Sequence, residues 1–307
     1  MKAEKEKRAK KTQDNIKNIT VATKGETLLD YVSKILTDFK KTKVKSMLKH
    51  NQFAVNSTPT TLYNQELKVG DRVSINFDKS FKVFSHPRIK LVYEDDSIIV
   101  INKGYGVLSM GTDKIKDGTA YSIVREYIKY SNPMAKLFIV HRLDRDTSGL
   151  MMFAKSVEAK EKMQHNWNNM VISRTYVALV EGSVETDEGT IRSYLAENSR
   201  FEVYSTENKE EGQLAITRYK VLRRDGGYTL MDVELDTGRK NQIRVHMKDL
   251  GHPIVGDRKY GASSSPIHRL ALHARTLRFV HPIEMKDMNF EIPVPAKFKV
   301  LLNRRED

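Results

Sequence analysis

A polar segment between two apolar runs is the feature that most constrains how this chain can fold. Residues 141–148 read His-Arg-Leu-Asp-Arg-Asp-Thr-Ser, and short apolar runs precede and follow them. Apolar runs of this length are typical of buried strands, so the polar segment is predicted to be a loop on a rigid sheet, where catalytic groups tend to lie. Its carboxylates are Asp144 and Asp146, flanked by Arg142 and Arg145. Spacing alone leaves both a catalytic site and a structural turn of ion pairs open.

Residues 89–307 are predicted to form one α+β domain. Strand patterns cover residues 98–101, 137–140, 149–154, 175–180 and 228–235. Helices are predicted at about 157–168 and at about 240–250, where Gly251 closes the second helix. Many strands with few helices indicate a mixed, mainly antiparallel sheet.

The first 88 residues divide into three predicted parts: a basic, disordered tail at 1–18, a small α/β unit at 19–78 and a linker at 79–88. In the small unit, Thr27 and Asp30 are spaced for a capping box, which predicts that a helix begins there. A second helix is predicted from Thr42, with Val44 on its inner face and its lysines exposed.

Charge favours a nucleic-acid partner for this chain. Its 307 residues include 53 Lys and Arg against 39 Asp and Glu, a formal charge of +14. Such a surface favours a polyanion, because neutralised phosphates release counterions. There is no cysteine, which excludes disulfides, thiolate zinc sites and cysteine nucleophiles. No apolar run approaches the roughly 18 residues of a membrane span, and a cytoplasmic protein is expected.

Five histidines between residues 246 and 281 raise the question of a metal site. They are His246, His252, His268, His273 and His281. Their spacing matches no standard ligand pattern, so neither a metal nor another cofactor is predicted.

Several ordered motifs in residues 89–307 resemble one enzyme family. They include His141-Arg-Leu-Asp144 with Thr147-Ser-Gly-Leu150, Asn102-Lys103, Arg174-Thr-Tyr176, Gln242-Ile-Arg-Val-His246 and Gly256-Asp257. This series resembles the RluA-type RNA pseudouridine synthases. The chain departs from the family at Gly104, where proline is common, at Arg174, where lysine is usual, and at Asn241, where histidine is usual.

The resemblance implies an isomerase that converts uridine in RNA to pseudouridine without a cofactor. It implies that Asp144 is the catalytic carboxylate, that Arg244 pairs with Asp144, and that Tyr176 presents a flat face to the flipped uracil. It further implies that substrate contacts come from Arg142, His141, Arg239 and Gln242.

The small unit resembles the alpha-L RNA-binding module of a ribosomal protein. The matching features are a lysine-rich second helix and the segments Ala54-Val55-Asn56 and Val69-Gly70-Asp71. The chain departs from that module at Ser57, where glycine is usual, and at Thr42-Lys43, where Ser-Arg is frequent. The resemblance implies that Lys43, Lys45 and Lys49 contact RNA.

Two other functions are compatible with these sequence features. One is a non-catalytic RNA-binding or ribosome-assembly protein, and the other is a nucleoside hydrolase that uses Asp144 and Asp146 as a pair. The accessory unit favours large-subunit ribosomal RNA over transfer RNA as the substrate, and a monomer is expected.

Overall fold

The protein is described from a computed structural model, in which residues 16–21, 25–56, 58–78 and 80–302 are described. Most of the predicted tail, Ser57 and Lys79 lie outside the described residues. The strands are β1 Ile16–Thr20, β2 Phe53–Val55, β3 Thr58–Pro59, β4 Arg72–Asn76, β5 Ile89–Glu94, β6 Ile98–Lys103, β7 Phe138–Ile139, β8 Ser148–Ala154, β9 Val171–Glu181, β10 Glu188–Glu197, β11 Val203–Thr206, β12 Gln213–Asp225, β13 Tyr228–Leu235, β14 Leu272–Val280 and β15 Asp287–Glu291. The helices are α1 Leu28–Ile35, α2 Lys41–Lys49, α3 Ala120–Ser131, α4 Val157–His165, α5 Trp167–Met170, α6 Gln242–Asp249 and α7 Ala296–Leu301.

A small sheet in the order β1-β4-β2-β3 packs with α1 and α2 around its own core. The Thr27 side chain caps α1 by accepting from the Asp30 backbone N–H, as its spacing predicts. Helix α2 buries Val44 and begins at Lys41, one residue before the predicted start. Asn51 follows α2 in the left-handed conformation, at φ 52°.

Strand β1 lies partly inside the segment predicted as a disordered tail. It begins at Ile16 and pairs antiparallel with β4, so that residues 16–18 belong to the small sheet. The strand has only two apolar residues, Ile16 and Ile19, and both are half-buried. The pairing with β4 therefore specifies this strand, and the tail prediction was wrong for these three positions.

The large sheet runs in the order β11-β10-β12-β13-β9-β14-β8-β6-β5. β15 extends it beside β14, and β7 pairs with β8. Among the described residues its strand pairs are antiparallel except for β8 with β14, which are parallel. Gly149 lies at this parallel pair with φ 122°, and a Cβ there would meet the Ala274 carbonyl oxygen at 2.2 Å. A glycine is required because the two backbones approach so closely.

Two predicted helices have different limits in the structure. The helix predicted at 157–168 is broken at Asn166, which separates α4 from α5. The helix predicted from 240 begins only at Gln242, because Asn241 before it has a left-handed backbone at φ 54°. This left-handed residue turns the chain between β13 and α6.

Candidate active site

Two side chains fix the backbone on both sides of Asp144. The Ser109 hydroxyl donates to the Leu143 carbonyl at 2.5 Å and accepts from the Leu143 N–H at 3.0 Å. On the other side, Lys103 Nζ donates to the Arg145 carbonyl at 3.1 Å. The loop that carries Asp144 leads directly into β8, whose seven residues are all buried. Asp144 is therefore presented from a rigid support.

Asp144 lines a pocket of about 470 Å³. Tyr176 of β9 and Arg244 of α6 line the same pocket, so the three predicted catalytic residues meet there. Arg142, Arg174 and Arg239 are also on its wall. Asp146 is exposed and is not part of the lining. The pocket thus places one half-buried carboxylate beside an aromatic ring, within a ring of guanidinium groups.

The guanidinium of Arg244 bonds to a different aspartate from the one expected. Its Nε and Nη2 donate to the two carboxylate oxygens of Asp257, at 2.7 and 2.6 Å, and its Nη1 donates to Asn241 Oδ1 at 3.1 Å. Arg244 was predicted to pair with Asp144. Its hydrogen bonds go to Asp257 and Asn241 instead, while its charge acts on Asp144 by opposing the rise in the pKa of that carboxyl. Asp257 is only 2% exposed, and a carboxylate so deeply buried needs a bonded counter-charge.

Gln242 was predicted to bind substrate, but its side-chain amide forms hydrogen bonds within the protein. Its carbonyl oxygen accepts from Thr237 Oγ1 and from the Arg239 N–H, and its amide nitrogen donates to the Ile216 carbonyl and Thr217 Oγ1. Gln242 thereby fixes the turn before α6 against β12. Arg239 remains exposed on the pocket wall, with its Nε bonded to the Leu214 carbonyl.

The remaining predicted contact residues lie apart from the pocket wall, except Arg142. His141 Nε2 accepts from the Met152 N–H at 2.9 Å, and its ring packs against Trp167. Burial lowers the pKa of His141 to about 3, so its ring is neutral and anchors the loop to β8. The three predicted RNA-contacting lysines lie on α2, in the small unit: Lys43, Lys45 and Lys49.

Residues 97–249 match the family model described as RNA pseudouridylate synthase. The chain is 34% identical to the uncharacterized RNA pseudouridine synthase YhcT of Bacillus subtilis, over 84% of this chain and 86% of that relative. It is 29% identical to ribosomal large subunit pseudouridine synthase D of Haemophilus influenzae, over 91% of each chain. This chain belongs to the RNA pseudouridine synthase family. The family predicted from the motifs is confirmed, and with it an isomerase that acts on uridine in RNA.

Two human structures share the fold of the synthase. RNA pseudouridylate synthase domain containing 4 superposes with a TM-score of 0.57 at 23% identity, over 69% of this chain and 91% of that one. RNA pseudouridylate synthase domain containing 1 superposes with a TM-score of 0.55 at 26% identity, over 69% of this chain and 86% of that one. The predicted α+β fold with a mixed, mainly antiparallel sheet is therefore confirmed.

Burial dominates the electrostatics of Asp144 in the synthase. Burial raises the pKa of its carboxyl, and the positive charges of Arg244, Arg142 and Lys103 oppose that rise. The burial effect is the larger, so the pKa of Asp144 lies above its usual value. Burial also raises the pKa of Tyr176, which keeps its phenol neutral beside the carboxylate.

Lys103 and Asp257 are the site residues to which the sequence assigned no role. Lys103 is fully buried at the end of β6, and its Nζ donates to the carbonyls of Val107, Arg145 and Gly104. Burial lowers its pKa to about 7, against the attraction of Asp144 and Asp146. The available signal for Lys103 was a lysine at the end of a strand that begins with four apolar residues. No local sequence feature linked Asp257 to Arg244.

Neither a metal site nor a membrane span is found within the described residues. No group of three or more His, Asp and Glu residues there could hold a metal ion. None of the helices in that part of the chain is long and apolar enough to cross a membrane.

Proposed function

We propose that the synthase isomerises uridine in large-subunit ribosomal RNA, with Asp144 as its catalytic carboxylate. The observation that carries this proposal is the convergence of Asp144, Tyr176 and Arg244 on one pocket, from three distant parts of the chain. Relatives named ribosomal large subunit pseudouridine synthase D, which align over nine-tenths of the chain, support the choice of RNA.

The reaction defines what the pocket must do. The bond from the sugar C1′ to uracil N1 breaks, and a bond from C1′ to C5 forms. C5 loses a proton and N1 gains one, so no redox step is involved. In our proposal the Asp144 carboxylate acts at the sugar, as nucleophile or as base, while the Tyr176 ring holds the detached uracil. Arg244 acts through its charge, which opposes the rise in the pKa of Asp144.

The uridine must leave its stack before it can reach Asp144. Flipping a base costs a few kcal/mol, which contacts to the RNA backbone must offset. We propose that Arg142 and Arg239, both exposed at the pocket, make such contacts. Lys43, Lys45 and Lys49 of the small unit at 19–78 would add phosphate contacts further along the RNA. The protein is expected to act as a monomer in the cytoplasm.

The test is a map of pseudouridine by carbodiimide treatment and primer extension, in RNA from cells that lack the gene. We expect at least one site in large-subunit ribosomal RNA to disappear and to return with the wild-type gene but not with Asp144→Asn. The matched control is Asp146→Asn, an exposed carboxylate two residues away, which should restore the site. A site lost only from transfer RNA would overturn the choice of substrate.

The same variants decide between the synthase and the other two functions. If the full chain binds RNA but no site changes in the map, the non-catalytic RNA-binding protein is favoured. Release of free uracil from RNA, dependent on both Asp144 and Asp146, would favour the hydrolase.

A further inference from the structure

Phe201 is the most exposed large apolar side chain in the described part of the protein, with 72% of its surface accessible. It lies in the turn between β10 and β11 with a left-handed backbone, at φ 61°. This conformation is unfavourable for a bulky residue. The chain therefore has an aromatic side chain at a position where its ring is exposed to water and its backbone is strained. Strained positions of this kind tend to be functional.

The turn that carries Phe201 is held firmly by hydrogen bonds. The Asn198 side-chain oxygen accepts from the N–H groups of Arg200 and Glu202, and the Asn198 carbonyl accepts from the Phe201 N–H at 2.9 Å. Lys259 Nζ donates to the Phe201 carbonyl at 3.1 Å. The ring of Phe201 is thus displayed from a fixed backbone.

The hairpin of β10 and β11 connects this turn to the active-site helix. Val203 at the start of β11 shares a buried cluster with Val245 of α6 and Tyr260. The Tyr260 ring lies 4.7 Å from the guanidinium carbon of Arg244, which lines the pocket. Phe201 is therefore fixed relative to the helix that forms one wall of the pocket.

Positively charged side chains lie near the exposed ring, together with the carboxylates of Glu197 and Glu202. Lys240 Nζ lies 5.8 Å from the centre of the Phe201 ring. Lys240 stands between Arg239 and Asn241, both of which line the pocket, and its charge is among those that oppose the rise in the pKa of Asp144. Arg200, which precedes Phe201, and Lys259, which bonds to the Phe201 carbonyl, are also exposed. Lys240 is itself paired with Glu197.

We propose that Phe201 stacks on an unpaired base of the RNA, next to the uridine that enters the pocket. An aromatic face flanked by cations is how proteins hold single-stranded nucleic acid, since the ring stacks on a base while the cations bind phosphates. The charged surface around the ring favours RNA over a second protein chain, because charged residues are depleted at the centre of protein interfaces. The inference rests on the proposed function only in that it takes the pocket as the place where uridine binds.

The direct test is fluorescence of full-length Phe201→Trp. A base stacked on the indole should quench its emission when a short oligouridine is added. The only native tryptophan, Trp167, lies near Arg174 of the pocket wall, so the wild-type signal is subtracted. The matched control is Met285→Trp, because Met285 is also exposed in a hairpin turn with positive φ, at 53°. We expect quenching at position 201 and none at 285; equal behaviour at both positions would overturn the proposal.

Binding measurements separate stacking from charge and from general apolar contact. Phe201→Leu should weaken binding of the oligouridine by about 5- to 150-fold, the range measured for loss of one base–aromatic stack. Phe201→Tyr should retain it. An abasic oligomer of equal length should bind the wild type and Phe201→Leu equally, because it presents phosphates without bases. Loss of binding to both oligomers in Phe201→Leu would overturn stacking.

Phe201→Gly distinguishes a functional side chain from a structural one. Glycine accepts the left-handed backbone without strain, so the melting temperature should not fall, while oligouridine binding should weaken as in Phe201→Leu. A fall in melting temperature with unchanged binding would overturn the proposal. So would a wild-type dimer that dissociates in Phe201→Leu with unchanged RNA binding, because the ring would then contact a second copy. Oligouridine binding requires no turnover, so failure of the proposed catalytic role of Asp144 leaves this result unaffected.

Discussion

At the scale of single residues, Lys103 places a positive charge beneath the loop that carries Asp144. It is fully buried, and burial lowers its pKa to about 7. The lysine retains its proton on the acid side of that value, where its charge stabilises the Asp144 carboxylate. The positive charge of Lys103 thus favours the ionised form of Asp144, which the proposed mechanism requires.

Lys103→Met should therefore change the pH dependence of the reaction as well as its rate. The carboxylate of Asp144 is taken as the active form, so activity rises with pH through the pKa of Asp144. Removing a nearby cation raises that pKa, and the acid limb should move to higher pH by a few tenths to about one unit. The measurement is the single-turnover rate on substrate RNA between about pH 5 and 8.

Lys90→Met is the matched control for Lys103→Met. Lys90 is an exposed lysine on β5, opposite Asn102 of β6, and its replacement should leave the acid limb in place. If the acid limb does not move in Lys103→Met, Lys103 does not act on the pKa of Asp144, whatever the change in the maximal rate. Its role is then only to bind the loop carbonyls.

The bidentate pair of Arg244 and Asp257 is the second feature at this scale. The side chains are 13% and 1% exposed, so removing one charge leaves the other buried without its partner. Asp257→Asn should therefore lower the free energy of unfolding by about 3–5 kcal/mol, measured by urea denaturation. The control is Asp287→Asn, which breaks an exposed pair with Arg278 and should cost at most about 1 kcal/mol. Similar losses of unfolding free energy in the two variants would contradict the view that Asp257 is the buried counter-charge of Arg244.

At the scale of elements, helix α6 is held to the sheet by polar contacts as well as by its apolar face. Thr217 of β12 is fully buried, and its hydroxyl contacts both Gln242 Nε2 at 3.0 Å and His246 Nδ1 at 2.7 Å. His246 Nε2 lies 3.0 Å from the Ser193 hydroxyl of β10. Burial lowers the pKa of His246 to about 4, so a neutral imidazole joins the helix to two strands.

Thr217→Val should loosen this attachment while keeping the shape of the side chain. Both contacts of the hydroxyl are lost, and the cost should be about 1–3 kcal/mol in the free energy of unfolding, because His246 Nδ1 is left buried without a partner. The turnover of substrate RNA should fall as well, since α6 carries Arg244 into the pocket. Thr190→Val, at an exposed position of β10, is the control. If urea denaturation finds the two variants equally stable, the hydroxyl does not hold the helix.

The elements also show what a sequence can predict. Strands β6 and β8 were predicted from the apolar runs at 98–101 and 149–154, and the structure buries both runs. Strand β10 was missed, since its first half alternates polar residues with half-buried ones and depends on β12 for its pairing. Motifs predicted Asp144 and Tyr176 as site residues, and both line the pocket, but no motif predicted the bond of Arg244 to Asp257. That bond joins a helix to a loop 13 residues further along the chain, and only the tertiary fold brings the two together.

At the scale of the whole molecule, two sheets with separate cores lie along one basic chain. Helix α2 turns Val44, Met47 and Leu48 into the core of the small unit. Its lysines are thereby left on the outer face, where they remain hydrated, lower the stability of the fold little and add positive potential. If this face binds RNA, its contribution is electrostatic and should depend steeply on salt.

The triple variant Lys43→Gln, Lys45→Gln and Lys49→Gln tests this surface without removing helix-forming residues, because glutamine is nearly as good a helix former as lysine. Each lost phosphate contact should reduce the slope of log Kd against log salt by about 0.7 to 0.9, so the slope should fall by about 2 to 3. The measurement is the affinity for ribosomal RNA over a range of salt concentrations.

A variant with the same charge change at exposed lysines of the large domain, Lys209, Lys220 and Lys297, should keep most of the slope. The α2 variant should also lose affinity without losing turnover at saturating RNA, because none of its residues lines the pocket. An equal fall in slope for both variants would mean that net charge, and not the face of α2, governs the attraction.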